Sequence, residues 1–237
     1  VIVDAAALTI GVDRTDDTGD IHFASTLGAG ANDVEIRSPT TPAYNGLTLN
    51  ADDVISIADI GTVVDSELGA FTVGAGAQLS FYGTTVSLDD DGDVDVTAVS
   101  DVRIEANLTI DTEQGNDGVG GDELFAAGGT ISAGNNSTVA INTATTLADN
   151  DGGAVGLSPV STLGALTVTS SGGGGIGVDG TITLNGDITA AGIAANDVTF
   201  TGPVRLAQNV AIDTDNGVAT DGTITFNDTV DATGAGI

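Results

Sequence analysis

Apolar positions along this chain recur with a period of two. Ala7 to Ile10 (ALTI), Asp93 to Val96 (DVDV), Asp101 to Ile104 (DVRI) and Asn107 to Ile110 (NLTI) each alternate an aliphatic or Ala with a polar or small residue. That pattern belongs to a strand with one face buried. About twenty such runs of four to six residues are separated by Gly, Asn and Asp clusters. Helix signals are scarce, because 35 Gly interrupt the chain and Lys and Met are absent.

The runs also repeat. Gly180 to Ile188 (GTITLNGDI), Asn196 to Val204 (NDVTFTGPV) and Gly222 to Val230 (GTITFNDTV) share one template, with an earlier relative at Gly19 to Leu27 (GDIHFASTL). A second phrase, apolar-Thr-apolar or its Ala variant, recurs at Leu47, Leu108, Val139, Leu166 and Val210. Anchor spacing varies, with 16 residues from Ile182 to Val198, 12 from Val198 to Val210 and 14 from Val210 to Ile224. Such spacing suits a solenoid whose strands form the sides of a coil while its turns differ in length, at roughly 20 to 30 residues per coil. Coils stacked about 4.8 Å apart then make an all-β rod of roughly ten coils from the whole chain. Tandem β-sandwich modules are the alternative. Residues 1–237 read as a single repeat segment, an excerpt of a longer chain; the Ser170 to Gly180 and Asp111 to Glu123 tracts are the best linker candidates.

The inward set expected in the last third is Ile182, Leu184, Ile188, Val198, Phe200, Val204, Val210, Ile212, Ile224, Phe226 and Val230. Thr181, Thr183, Thr199, Thr223 and Thr225 are expected to face outward.

The phrases GTITLNGDI, DVTFTGPVRL, VAIDTDNG and GTITFNDTV resemble the β-strand repeats of large bacterial surface proteins of the filamentous-haemagglutinin type. The resemblance is clearest over Leu166 to Gly236. It implies a right-handed parallel β-helix (β-solenoid), an extracellular, cell-surface location, and an adhesive or structural, non-catalytic role.

Composition narrows the partners. The chain has 34 acidic and 4 basic residues, a formal charge of −30, which excludes a nucleic-acid or anionic-membrane binder. Leu, Ile, Val and Phe together number 63 of 237, enough for a core and too many for a disordered chain. With no Cys there are no disulfides and no thiolate sites. No apolar run approaches the length of a transmembrane segment. Self-association into a fibre or layer is expected, with a cell-surface or matrix target as a further partner.

Calcium is the sharpest chemical candidate. Ser87 to Asp95 (SLDDDGDVD) places Asp89, Asp91 and Asp93 around Gly92 like an EF-hand loop, although Ala98 stands where the bidentate Glu belongs. With Val94 and Val96 inward, Asp93 and Asp95 share the outer face about 7 Å apart, and one ion could bridge them. The metal candidates are therefore Asp89, Asp91, Asp93 and Asp95; the plain alternative is a solvated acidic turn. Gly118 to Leu124 (GVGGDEL) matches one repeat-in-toxin nonapeptide core, and Asp149 and Asp151 sit in a similar acidic turn. Stacked coils are also expected to bring like-charged Asp side chains to about 5 Å, where they repel.

Catalysis finds little support. The single histidine, His22, occupies the slot that Thr fills in other repeats, and the four Arg (Arg14, Arg37, Arg103, Arg205) are scattered. Gly172 to Gly175 reads as a flexible turn. Two further readings remain open at this point: an acidic, calcium-stabilised surface-layer or filament subunit of β-sandwich type, and a β-helical polysaccharide-degrading enzyme.

Overall fold

A computed structural model describes residues 7–11, 21–22, 36, 46–62, 67–74, 78–113, 123–125, 129–134, 137–148, 150–192, 196–215, 217 and 221–232. Within them lie 22 strands, numbered in chain order, and every pairing between strands is parallel. The chain is thus a parallel β-solenoid, and the sandwich alternative, which requires antiparallel neighbours, is excluded.

The coil has three faces. Face one stacks β1 (Ala7–Gly11), β3 (Gly46–Asn50), β5 (Leu68–Val73), the second half of β7 (Thr85–Asp95), β10 (Glu123–Phe125), β13 (Val155–Leu157), β16 (Ile182–Leu184), β19 (Val204–Leu206) and β22 (Val230–Ala232). Face two stacks β2 (Ile21–His22), β4 (Val54–Ile57), β6 (Gln78–Phe81), β8 (Asp101–Ile104), β11 (Ile131–Ala133), β14 (Val160–Leu163), β17 (Ile188–Ala190) and β20 (Ile212–Asp213). Face three stacks the first half of β7 with β9 (Leu108–Asp111), β12 (Val139–Asn142), β15 (Leu166–Thr169), β18 (Val198–Thr201) and β21 (Ile224–Phe226); bridges from Ile36 to Ile60 and from Ile60 to Val86 extend it. The long β7 bends from face three onto face one and so joins two sheets.

Register partners on face one run Leu47, Phe71, Val94, Glu123, Val155, Ile182, Val204, Val230. A coil on this face therefore takes between 22 residues (Ile182 to Val204) and 39 (Leu8 to Leu47), a wider range than the roughly 20 to 30 expected from the anchor spacing. The described stack is nine strands deep on this face, slightly fewer than the roughly ten coils expected.

Alternation decides what fills the lumen. Ile55, Leu79, Val102, Ile131, Val160 and Ile188 form one buried ladder on face two, while Val86, Ile110, Ile141, Val168 and Phe200 form another on face three. In the last third, Ile182, Leu184, Ile188, Val198, Phe200 and Val204 are buried and none of the five named Thr is, so the expected register holds. The expected core fails at its far end. Val210 and Ile212 are half-buried, and Ile224, Phe226 and Val230 are 40%, 37% and 44% exposed, because no described coil is stacked on theirs. Phe226 still stacks on Phe200, ring centres 5.4 Å apart.

The acids have a role that composition does not suggest. The N–H at the start of a strand or just before it can lack a strand carbonyl to meet, and in five places an Asp or Asn in the coil below supplies the acceptor. Asp59 Oδ1 accepts from Thr85 N–H (3.0 Å), Asp101 Oδ1 from Thr130 (3.2 Å), Asn107 Oδ1 from Thr138 (2.9 Å), Asp187 Oδ1 from Ala211 (2.7 Å) and Asp197 Oδ1 from Thr223 (2.7 Å). In each case the carbonyl of the same upper residue accepts the N–H of the residue following that Asp or Asn. Two bonds thus clamp one coil to the next at the start of a strand. The side chain is almost always Asp because its oxygen lies one methylene from the backbone, the reach that makes Asp and Asn good caps of local N–H groups.

The charge pattern corrects the repulsion argument. In the described registers no carboxylate lies opposite another: Asp93 faces Ala70, Asp95 faces Thr72 and Leu124, Asp101 faces Gln78, Asp111 faces Ser87 and Asn142, Asp213 faces Thr189 and Asp231 faces Arg205. In these registers directly stacked like charges, about one coil spacing apart, do not occur.

Asp197→Ala should therefore lower stability by about 1 kcal/mol, and Asp197→Asn by much less, because Asn keeps the Oδ1 acceptor. Thermal melts check this, with a fall of about 2 to 4 °C expected for the Ala variant of a chain this size. Equal melting temperatures for Asp197→Ala and wild type would remove the clamp from the account.

Candidate functional surfaces

The acidic cluster sits on β7 where it turns onto face one. Val94 and Val96 are buried, Asp93 is exposed and Asp95 half-buried, so Asp93 and Asp95 share the outer face as their alternation predicts. Asp95 Oδ1 is engaged by the Thr97 N–H (2.9 Å) and the Thr97 hydroxyl (2.6 Å). The side chains of Asp89 and Asp91 lie outside the described residues, as does most of the Gly118 to Leu124 motif. Among the described residues no group of three or more His, Asp or Glu converges as a metal site would. Asp149 also lies outside the described residues, while Asp151 Oδ1 accepts the Val178 N–H at 2.8 Å. His22 is the register partner of Ser56 on face two. The exposed Arg103 forms an ion pair with the half-buried Glu105 beside it; Arg14 and Arg37 lie outside the described residues.

A projecting element was not legible as such. After β12 the chain leaves the coil for residues 144–152, and after β15 it does so again for residues 171–179. Each excursion is pinched shut at its base by a reciprocal pair of bonds. The Thr143 hydroxyl donates to the Gly153 carbonyl (2.7 Å) while the Gly153 N–H donates to the Thr143 carbonyl (2.8 Å). Ser170 and Gly180 repeat the arrangement at 2.8 and 2.7 Å. Thr143 and Ser170 are buried, so these hydroxyls require internal acceptors and the glycine carbonyls provide them.

The two loops stack on each other. Thr145 N–H donates to Ser171 O (3.0 Å), Gly173 N–H to Asn150 O (2.8 Å) and Gly152 N–H to Val178 O (2.9 Å). Of the Gly172 to Gly175 run, expected to be a flexible turn, the first two glycines are closely packed while Gly174 and Gly175 are exposed. A Cβ on Gly173 would fall 1.5 Å from the Leu147 carbonyl oxygen, and one on Gly177 would fall 2.3 Å from that of Asn150. Glycine is needed for this backbone approach.

Of the large hydrophobic residues that the described chain exposes, those outside the end coil all lie here: Leu147 at 36%, Val178 at 63% and Ile176 at 80%.

Two concavities lie among the described residues. A void of about 10 Å³ in the lumen is lined only by aliphatic side chains, including Ile104, Ile141 and Leu166, and is too apolar to hold a water. An open groove of about 370 Å³ on face one is lined by Thr181, Pro203, Val204, Arg205, Thr229, Asp231 and Ala232. Its charged lining residues are Arg205 and Asp231, register partners on adjacent coils.

No family model, no curated protein and no solved structure matches the chain. Among the described residues no helix is long and apolar enough to cross a membrane.

One acid stands apart electrostatically. Burial at the end of β9 pushes the Asp111 carboxyl above its ordinary value, although hydrogen bonds from the Glu113 N–H and the Asn142 amide oppose the shift. A carboxylate raised in the folded state contributes stability below its unfolded pKa and loses it as pH rises through the folded pKa. Asp111→Asn should accordingly gain stability relative to wild type at pH 7, and the gap should close as pH falls toward 4. Melting curves across that range test it; a gap that stays constant or widens in acid would contradict the assignment.

Proposed function

We propose that this chain is a structural and adhesive segment of an extracellular bacterial fibre, located at the cell surface, and that it assembles end to end with copies of itself. The observation carrying this reading is the parallel stack itself, nine described strands deep on face one, which makes a rod. Ile224, Phe226 and Val230 stand in register above the buried Val198, Phe200 and Val204, yet each is more than a third exposed. A further coil of the same kind, supplied by the same chain or by another copy, would bury these side chains and pair the strand edges of β21 and β22. Contact between unlike ends of identical rods is heterologous, and a heterologous contact that does not close generates a filament.

Two other features support the reading. The lumen is packed with side chains, which suits a rod that spans distance. The side chains that clamp the coils serve stability and leave most of the outer surface to polar Thr, Ser and Asp, which suits a body in water. A role in spanning and presenting requires no catalytic residue.

Sedimentation and electron microscopy test the assembly. Wild type should form rods whose length grows with protein concentration and with salt, because a charge of −30 opposes contact between copies at low ionic strength. Ile224→Asp combined with Val230→Asp should remain monomeric. A wild-type chain that stays monomeric at high concentration in 0.5 M NaCl would contradict end-to-end assembly.

Calcium stabilisation is a second reading, favoured by the placement of Asp93 and Asp95 on one outer face around buried Val94. Melting in CaCl₂ should then exceed melting in NaCl at matched ionic strength, and Asp93→Asn with Asp95→Asn should abolish the difference. Equal melting in the two salts would eliminate a calcium site.

A further inference from the structure

We propose that the paired loops 144–152 and 171–179 are a docking surface for a basic, amphipathic polypeptide segment. The fold does not require aliphatic tips here. These loops project beyond the coil ladders, and their backbones are already held by two basal pinches and three bonds between loops. Polar residues would serve the stack equally well, yet Leu147, Ile176 and Val178 are presented to solvent on a pre-ordered frame. A frame of that kind binds without first losing the entropy of a disordered loop.

Charge selects the partner. Between Arg103 and Arg205 there is no basic residue, the loops carry Asp151 and Asp179, and the whole chain stands at −30. Asp151 is tied by its Oδ1 to the Val178 N–H and Asp179 to the Gly172 N–H, at 2.8 and 2.7 Å, so both carboxylates are fixed in the loops that bear the aliphatic tips. A second copy would bring further carboxylates against these, and an anionic membrane or nucleic acid is repelled by the same field. A segment that carries Lys or Arg beside Leu or Phe meets both features at once.

The proposal is independent of end-to-end assembly, whose contact lies at the exposed end coil. Two synthetic twelve-residue peptides of equal charge serve as probes, one alternating Lys with Leu and the other alternating Lys with Ser. Calorimetric titration should show the Leu peptide binding wild type about tenfold more tightly than the Ser peptide, the gain expected from burying one aliphatic side chain. Ile176→Ser with Val178→Ser should abolish that preference while leaving the melting temperature unchanged, because both positions are exposed. Ile224→Ser with Val230→Ser should retain it. Amide shifts in NMR spectra should cluster at 144–152 and 171–179. The proposal is overturned if the two peptides bind equally, if the preference survives in Ile176→Ser/Val178→Ser, or if phosphatidylcholine vesicles bind these loops and the peptides do not.

Discussion

Every coil of a parallel solenoid must satisfy the backbone of the coil beneath it, and the awkward group is the N–H just before each strand. Within the strands the ladder takes care of both donors and acceptors. At the strand start the chain is arriving from a turn, and its N–H points at the coil below where no carbonyl waits. An exposed N–H could be left to water, but the adjacent ladder bond would then stand at the edge of a fraying segment. Asp59, Asp101, Asn107, Asp187 and Asp197 remove that weakness by offering a side-chain oxygen at the needed height. Because a solenoid is held together only by contacts between neighbours, a clamp repeated along the rod protects each junction separately.

That constraint explains how so acidic a chain keeps a compact form. Of its 34 acids 29 are Asp and 5 are Glu, and only the shorter side chain reaches the backbone of the next coil from the start of a strand. In the described registers the carboxylates face no other carboxylate, and those in the clamps gain hydrogen bonds to the next coil. Asp111 is the informative exception. It lies half-buried at a corner, accepts from Asn142 and Glu113, and still has its charged form disfavoured by burial. Hydrogen bonds make an exposed acid useful, but they do not fully compensate a partly desolvated one.

The fold was legible because strand alternation and coil stacking use the same residues. Ile182, Val198 and Ile224 stand out in the sequence as repeated anchors, and a repeat that places an aliphatic two positions from the next can only stack in one register. The exposed end was not legible: Ile224 and Val230 carry the same pattern as Ile182 and Val204, and burial depends on whether a coil lies above. The packed half of the Gly-rich tract was hidden for a related reason. Composition reports that Gly172 to Gly175 permits unusual backbone, as Gly175 with its φ of 97° uses, and only the neighbouring loop, with Leu147 against Gly173 and Asn150 against Gly177, shows that close packing is why those two are Gly. The clamps had a faint signature, an Asp or Asn just before an aliphatic anchor in Asp101-Val102, Asn107-Leu108, Asp187-Ile188 and Asp197-Val198. An acid followed by a Val or Ile is also what plain strand alternation produces, so the signal carried no direction until the coils were stacked.

Residue-resolved amide hydrogen exchange addresses the clamp most directly. The N–H groups of Thr85, Thr130, Thr138, Ala211 and Thr223 lie outside or at the edge of the strand ladders, and each donates to a side chain in the coil below. Protection at these five amides should match that of the strands that follow them. Exchange at the rate of an unstructured chain, with the neighbouring strands protected, would contradict the central claim.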